Sequence, residues 1–481
     1  MNKKPIMRLV LTLAITSLMG TGCKSYNQKA KIMVDHWNVG DFQGASATAT
    51  KYASKQKSET DRDAVIWRLE QGATLRAAGQ YKESIAAFDT AEEGSDVFDG
   101  KSKGKTAVNE SLSLLTNPTM LPYDGYAYDK IMLNTYKAAD YLQLGDFENA
   151  RVEFNRALEK QTDALAVNAA RIEKTQKAAA DKNQNIDPEK IKNDPKFSEQ
   201  WKTYYLDLDE MKFYADYQNP FTEYLSGLFF MCQPTGGSDL QRARKSFELV
   251  LGMIGENKFI DQDMKMIEQA TAGQAISPTT YVIFETGRAP SRDEIRIDVP
   301  TFLATSKVPY VGMAFPKLTF HNGNVRCLTV KVGDTNEATI TLASMDSVIA
   351  QEFKNDLTRV IIRTVASAAI KAGVSYGISE ATRKHEGNQG NQAQVAEIAA
   401  QAAWVIYQLV FNHADMRTWN TLPKEIQFCH FPTPADRKIE ITAEGTAASS
   451  TVTIGDGIIN LVWVKSVNQT TPLQVSQCKL K

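Results

Sequence analysis

Four stretches in the first half of the chain place small and aromatic residues at the same offsets from a glycine or serine. Gly145 is followed by Phe147, Ala150, Phe154 and Ala157, and Gly79 by Tyr81, Ser84, Phe88 and Ala91. Weaker copies run Gly40, Phe42, Ala45, Ala49 and Ser238, Leu240, Ala243, Phe247, Val250. Upstream of the two fullest copies stand Gly72 with Leu75 and Ala138 with Tyr141, at the spacing of a preceding helix. The physical reading is a set of antiparallel helix pairs. Gly or Ser permits the tight turn, small residues let two helices approach, and the aromatic ring fills the space between them.

This pattern resembles the tetratricopeptide repeat (TPR), whose helix pairs stack into a superhelix with a concave groove. The resemblance implies a TPR-like α-solenoid over residues 23–265 and a protein partner held in its groove. The copies are 39, 66 and 93 residues apart, against about 34 in a regular array. Insertions must separate them, among them the polar run from Lys174 to Glu199, which reads as a loop or a solvated helix.

Between Asp261 and Pro278 the character changes, and residues 275–481 read as an α+β domain. Tyr281 to Glu285 is a β-branched and aromatic run, and Glu294 to Val299 alternates charged and apolar residues as a half-buried strand does. Val308 to Phe320, Val325 to Val332 and Ala338 to Leu342 continue the strand pattern. From Asp346 the period becomes helical, and a polar break from Glu386 to Gln392 separates it from a second helix, Val395 to Asn412. This predicts a long helical hairpin over 346–412, packed on one sheet face. Glu425 to Phe431, Lys438 to Thr442, Ser450 to Ile454 and Ile458 to Val467 return to strands.

Three segments carry a second resemblance: Glu285 to Pro290, Ala314-Phe315-Pro316, and Asp415 to Pro423. Together with the order of elements they are similar to an uncharacterised family of bacterial TPR-containing lipoproteins. The most specific piece is Arg417, Trp419, Leu422, Pro423, Ile426 and Gln427. That family has no established activity, so the resemblance implies architecture and address but no chemistry.

The N-terminus fits the same address. Lys3, Lys4 and Arg8 precede an apolar stretch from Leu9 to Met19, too short to span a bilayer, which needs about 20 residues. Gly20, Thr21 and Gly22 then lead to Cys23. The arrangement resembles a lipobox, with residues 1–22 as signal peptide and Cys23 as a diacylated first mature residue, although Gly20 stands where Leu is usual. Lys24 rather than Asp after the cysteine implies, by resemblance, the outer membrane, lipid-anchored and facing the periplasm. Once those residues are removed, 52 basic side chains face 56 acidic ones, which gives no field for nucleic acid. Cys232, Cys327, Cys429 and Cys478 allow three disulfide pairings or free thiols.

Chemistry-bearing motifs are sparse. Gly373-Val374-Ser375-Tyr376-Gly377 matches G-x-S-x-G, but the serine lies deep in a helical pattern instead of at a strand-to-helix turn. Its glycines read as a close-packing stripe. His36, His321, His385, His413 and His430 show no metal-ligand spacing, although His413 and His430 could meet across the helix-to-strand junction. Pro234 to Ser238 lacks the Lys-Ser/Thr of a phosphate loop. No catalytic residue, metal or cofactor is assigned. Asp41, Glu83 and Asp146 read as capping or solvated residues. Arg417 and Trp419 are candidates for an interaction surface; the plainer alternative packs Trp419 in the core with Arg417 paired. The expected function is a non-catalytic envelope lipoprotein acting as a protein-interaction scaffold, in support of an envelope or cell-wall assembly. The alternatives are a periplasmic enzyme acting on cell-wall glycan or peptide, and a structural component of a surface appendage or secretion machine.

Overall fold

A computed structural model describes residues 25–99, 114, 116–300, 310–385 and 413–481, with side chains left out for 371–385. Cys23 and the expected second helix of the hairpin lie outside the described residues.

The helical half opens with α1 (Tyr26–Asn38), α2 (Phe42–Ala53), α3 (Ala64–Ala77) and α4 (Tyr81–Phe98). It continues with α5 (Ala127–Leu144), α6 (Phe147–Ala180), α7 (Pro188–Lys192), α8 (Pro195–Glu210), α9 (Pro220–Cys232), α10 (Gly237–Ile254) and α11 (Lys258–Thr271). Helices pair as α1/α2, α3/α4, α5/α6 and α9/α10, and α11 closes the array against α10. Each sequence copy falls on the second helix of a pair. Gly40, Gly79 and Gly145 sit at the turns with φ of 77°, 77° and 73°, a left-handed conformation that side chains resist. Asp41 and Asp146 cap the helices that follow, accepting from the Gly44 amide at 2.8 Å and the Asn149 amide at 3.1 Å. Phe88, Phe154 and Phe247 are fully buried between the paired helices. The close approach is measurable: a Cβ on Gly72 would stand 2.5 Å from the Phe88 ring, and one on Gly227 2.8 Å from Phe247. The insertion between the third and fourth pairs is helical, made by the long tail of α6 with α7 and α8.

The second half contains β1 (Thr279–Thr286), β2 (Ser291–Pro300), β3 (Tyr310–Thr319), β4 (Leu328–Val332), β5 (Thr335–Ala338) and β6 (Ile340–Ser344). Then come α12 (Met345–His385), β7 (Glu425–Pro432), β8 (Lys438–Ala443), β9 (Ser449–Thr453), β10 (Ile459–Ser466) and β11 (Gln474–Lys479). The main sheet has the order β11-β10-β1-β7-β6, with β1 and β10 parallel and the other pairings antiparallel. A second sheet, β5-β4-β8-β9, and a β2-β3 ribbon complete the half. The polar edge strand β11 carried no alternation and escaped the sequence reading. The expected strand from Ala338 to Leu342 is divided between β5 and β6, with Thr339 between them.

Two expectations need correction. The long helix does not lie on a sheet face; α12 packs mainly along α6 and against β3. Nor is the concave side of the repeat an open groove. All 13 residues of α9 are buried, as are 12 of the 14 in α3, which a helix exposed along one face cannot achieve. These first helices of the pairs, which line the inner side of a TPR superhelix, are covered by the chain's own second half. Phe221 meets Trp463 of β10 edge-on at 5.9 Å, and Tyr224 meets Phe428 of β7 at 4.6 Å. β1 and β10 are buried at all eight positions, as strands covered on both faces are. One hydrophobic core runs through the repeat and the sheet.

Candidate functional site

The segment 414–424, between the hairpin and β7, enters the inner side of the repeat. Trp419 is fully buried edge-on to Phe88 of α4 (5.8 Å between ring centres) and to Tyr136 of α5 (6.0 Å), and its Nε1 donates to Thr421 Oγ1 at 3.0 Å. It therefore wedges between two helix pairs. Arg417 is 5% exposed. Its Nε and Nη2 donate to the two oxygens of Asp415 at 2.9 and 2.6 Å, and its Nη1 to the Arg62 carbonyl at 2.7 Å and Asp63 at 3.2 Å. Burial alone would lift the Asp415 carboxyl; the Arg417 guanidinium more than offsets it and holds the group below the ordinary carboxylate range. Neither Arg417 nor Trp419 offers an exposed surface, so the interaction-surface assignment is corrected: both are spent on joining the two halves.

Glu70 of α3 forms the matching socket. Completely buried, it accepts from Tyr26 Oη at 2.8 Å, the Asn420 amide at 2.7 Å, Asn420 Nδ2 at 3.0 Å and Thr421 Oγ1 at 2.7 Å. Burial pushes its carboxyl up, and these donors offset only part of the rise. Nothing in the sequence marked Glu70, because a polar residue in a helical pattern reads as solvated unless its distant partner is known.

Beside this junction lies a cavity of about 160 Å³. The loop before α5 (Tyr123, Tyr126), β2 (Arg292), α12 (Asp356, Arg359, Arg363) and Asp415 with Arg417 supply its polar wall, and exposed Lys174 stands at its rim. Arg359 mirrors Arg417: its Nε and Nη2 face Asp356 Oδ1 and Oδ2 at 2.7 and 3.3 Å. Arg292 is 4% exposed, stacked with its guanidinium carbon 4.0 Å from the centre of the Tyr126 ring and 5.3 Å from that of Phe353. Its Nη1 donates to Tyr126 Oη, while Nε and Nη2 have no acceptor among the described residues. Glu352, one turn before Asp356, accepts the Ala127 and Tyr128 amides at 2.6 and 2.8 Å and so caps α5; burial pushes it up to about 7.

The other sequence candidates scatter. Ser375 lies well inside α12 (Met345–His385) and not at the turn from β6 into that helix. His430 sits against the Phe259 carbonyl at 3.0 Å and Asp263 at 3.4 Å, whereas His413 faces Glu294 at 3.3 Å; the two do not meet. Burial and the neighbouring Arg288 push His321 down to about 4. The four cysteines of the body are free thiols. Among the described residues, no group of His, Cys, Asp and Glu could hold a metal ion.

No protein-family model matches the chain, and no curated protein matches it. Among solved structures, a tetratricopeptide repeat protein from Parabacteroides merdae matches at 12% identity, over 50% of this chain and 98% of its own, with a TM-score of 0.14. The assignment of a TPR-like helical half followed by an α+β half therefore stands on the helix pairs, turns and sheet order of this chain itself.

Proposed function

We propose that this chain is a non-catalytic scaffold of the bacterial cell envelope, anchored through a diacyl group on Cys23, that binds a protein partner on the outer helices of its repeat. The observation that carries the reading is the stack of TPR-type pairs whose inner side is already filled, which leaves the second helices as the available repeat surface. Val152 and Leu165 on α6 and Leu249 on α10 are large apolar side chains left exposed there, at 44%, 59% and 43%. The basic n-region, short apolar stretch and Gly20-Thr21-Gly22-Cys23 run support the anchor. No helix among the described residues is long and apolar enough to cross a membrane, so the lipid is the attachment this reading requires.

Two experiments test it. Cys23→Ser is expected to release the protein from washed membranes; retention there would refute the anchor. Photocrosslinking from position 165 in intact envelopes is expected to capture one protein reproducibly, with capture lost in a Val152→Asp/Leu249→Asp variant that melts like wild type. Capture unaffected by those changes, or no product, would refute the outer-helix surface.

A further inference from the structure

One end of the first helix pair gathers lysines that no neighbouring carboxylate neutralises. Lys29 of α1 and Lys55, two residues past α2, both stand over the Tyr52 ring, 5.9 and 5.0 Å from its centre. Tyr52 is itself held by stacking on Trp67 at 4.8 Å. Lys51 lies one turn before Lys55, and Lys57 two residues after it. Lys51, Lys55 and Lys57 are exposed and Lys29 is half-buried. No carboxylate among the described residues pairs with any of these four ammonium groups. The nearby acids are Glu59 and Asp61, and Asp61 is turned to the Lys57 and Ser58 amides at 2.6 and 3.2 Å. Asp63 is balanced by Arg62, and Asp41 caps α2 at the opposite end of the pair. This end of the pair is therefore positive.

The same end is the one next to Cys23. Lys24 alone separates that cysteine from Ser25, the N-cap of α1. Two chain steps reach about 7 Å at most. Whatever surface holds Cys23 thus holds the start of α1 within a Debye length of it, about 8–10 Å. We infer that the lysine end of the first pair is a docking surface for anionic phospholipid headgroups, set against the leaflet that receives the Cys23 lipid. The inference rests on the anchor proposed above. Charge supplies the fit, since each lysine close to an anionic leaflet adds an attraction that salt weakens. Tyr52 suits the same place, because a ring with a polar tip prefers the boundary between water and hydrocarbon. Lipid and patch are then two signals: the lipid attaches the protein, and the lysines set which end of the repeat faces the membrane.

Cosedimentation of the full-length Cys23→Ser protein, which carries no lipid, tests the surface by itself. Vesicles of equal parts phosphatidylglycerol and phosphatidylcholine are compared with vesicles of phosphatidylcholine alone. Binding to the anionic vesicles is expected to be at least about tenfold tighter, and to weaken between about 50 and 500 mM salt. Adding Lys29→Gln/Lys51→Gln/Lys55→Gln/Lys57→Gln is expected to abolish that preference, and the four changes to Arg to keep it. Lys3, Lys4, Arg8 and the stretch from Leu9 to Met19 are present in every protein compared, so the difference reports the patch. Where the fourfold variant melts below its parent, Lys51→Gln/Lys55→Gln/Lys57→Gln, confined to exposed side chains, replaces it and is expected to weaken binding at least about fivefold. Equal binding to both vesicles, or a glutamine variant that binds unchanged, overturns the docking surface and leaves the anchor standing. Retention of Cys23→Ser on envelopes washed at high salt, with lysine-dependent vesicle binding intact, overturns the anchor and leaves the surface. Poly-glutamate is run alongside. Its capture without any preference for anionic vesicles assigns the lysines to an acidic protein and overturns the membrane as their partner.

Discussion

Side chains at the junction do work that their types alone would not indicate. An arginine and a tryptophan close together in a loop are common interface anchors, yet here both face inward. Truncating Trp419 to Ala leaves a cavity between Phe88 and Tyr136, and the expected loss is about 3–5 kcal/mol of folding stability. Arg417→Ala should cost less, about 1–3 kcal/mol, because it leaves the Arg62 carbonyl and the quarter-exposed Asp415 without their donor while Asp63 keeps its pair with Arg62; an exposed ion pair would have cost about 0–1 kcal/mol. Denaturant melts of the two variants check this, and a near-wild-type Arg417→Ala would contradict the buried network. Glu352 governs the pH response. A carboxyl whose pKa rises on folding holds its proton more tightly in the folded state, so its contribution to stability is full below its unfolded value. That contribution is lost as pH rises through about 7. Asp129 and Asp140, each pushed up to about 6 mainly by burial, add to the fall at its acid end. The melting temperature is therefore expected to drop from about pH 6 to pH 8, and Glu352→Gln to flatten the upper part of that drop. An unchanged profile in the variant would show that Glu352 is not the titrating group.

Among the elements, the second helix of each pair was the most legible part of the sequence. The same offsets serve one local purpose, a turn followed by a face that receives its neighbour, and Gly145, Ala150, Phe154 and Ala157 state that purpose without outside help. The first helices were less legible because α3 and α9 answer to two partners at once, the paired helix and the sheet. Residues such as Glu70 and Phe221 are chosen for distant partners, Asn420 and Trp463, which lie hundreds of positions away. Arg292 was hidden for the same reason: Ser291, Arg292, Asp293 and Glu294 read as a polar strand end, and only the fold encloses the arginine. The pair packing makes a contrast between two helix glycines. Alanine is favoured over glycine by about 0.8–1.0 kcal/mol inside a helix, but overpacking costs about 1–3 kcal/mol. Gly72→Ala, which drives a Cβ into Phe88, is expected to destabilise by up to about 2 kcal/mol. Gly252→Ala, with nothing within 4 Å of its Cβ, is expected to stabilise by up to about 1 kcal/mol. Thermal melts of the pair decide it; equal effects would mean that Gly72 is not at a packed crossing.

At the scale of the whole molecule, the repeat and the sheet share a core, and segment 414–424 fastens one to the other. A TPR array with a free groove unfolds pair by pair, each pair depending only on its neighbours. An array whose inner side is filled by its own chain has no such freedom, because opening α9 exposes Phe221 and Tyr224 together with Trp463 and Phe428. Filling the inner side leaves the second helices as the available face of the repeat. Native-state hydrogen exchange tests this intramolecular closure most directly, following peptides from α9 and from β10 in the wild type and in Trp419→Ala. Slowest amides in both peptides are expected to exchange through one global opening, and the substitution should lower the opening free energy of both by the same amount, about 3–5 kcal/mol. If α9 opens independently of β10, or Trp419→Ala weakens the sheet and leaves α9 untouched, the two halves are separate folding units and the closed groove is wrong.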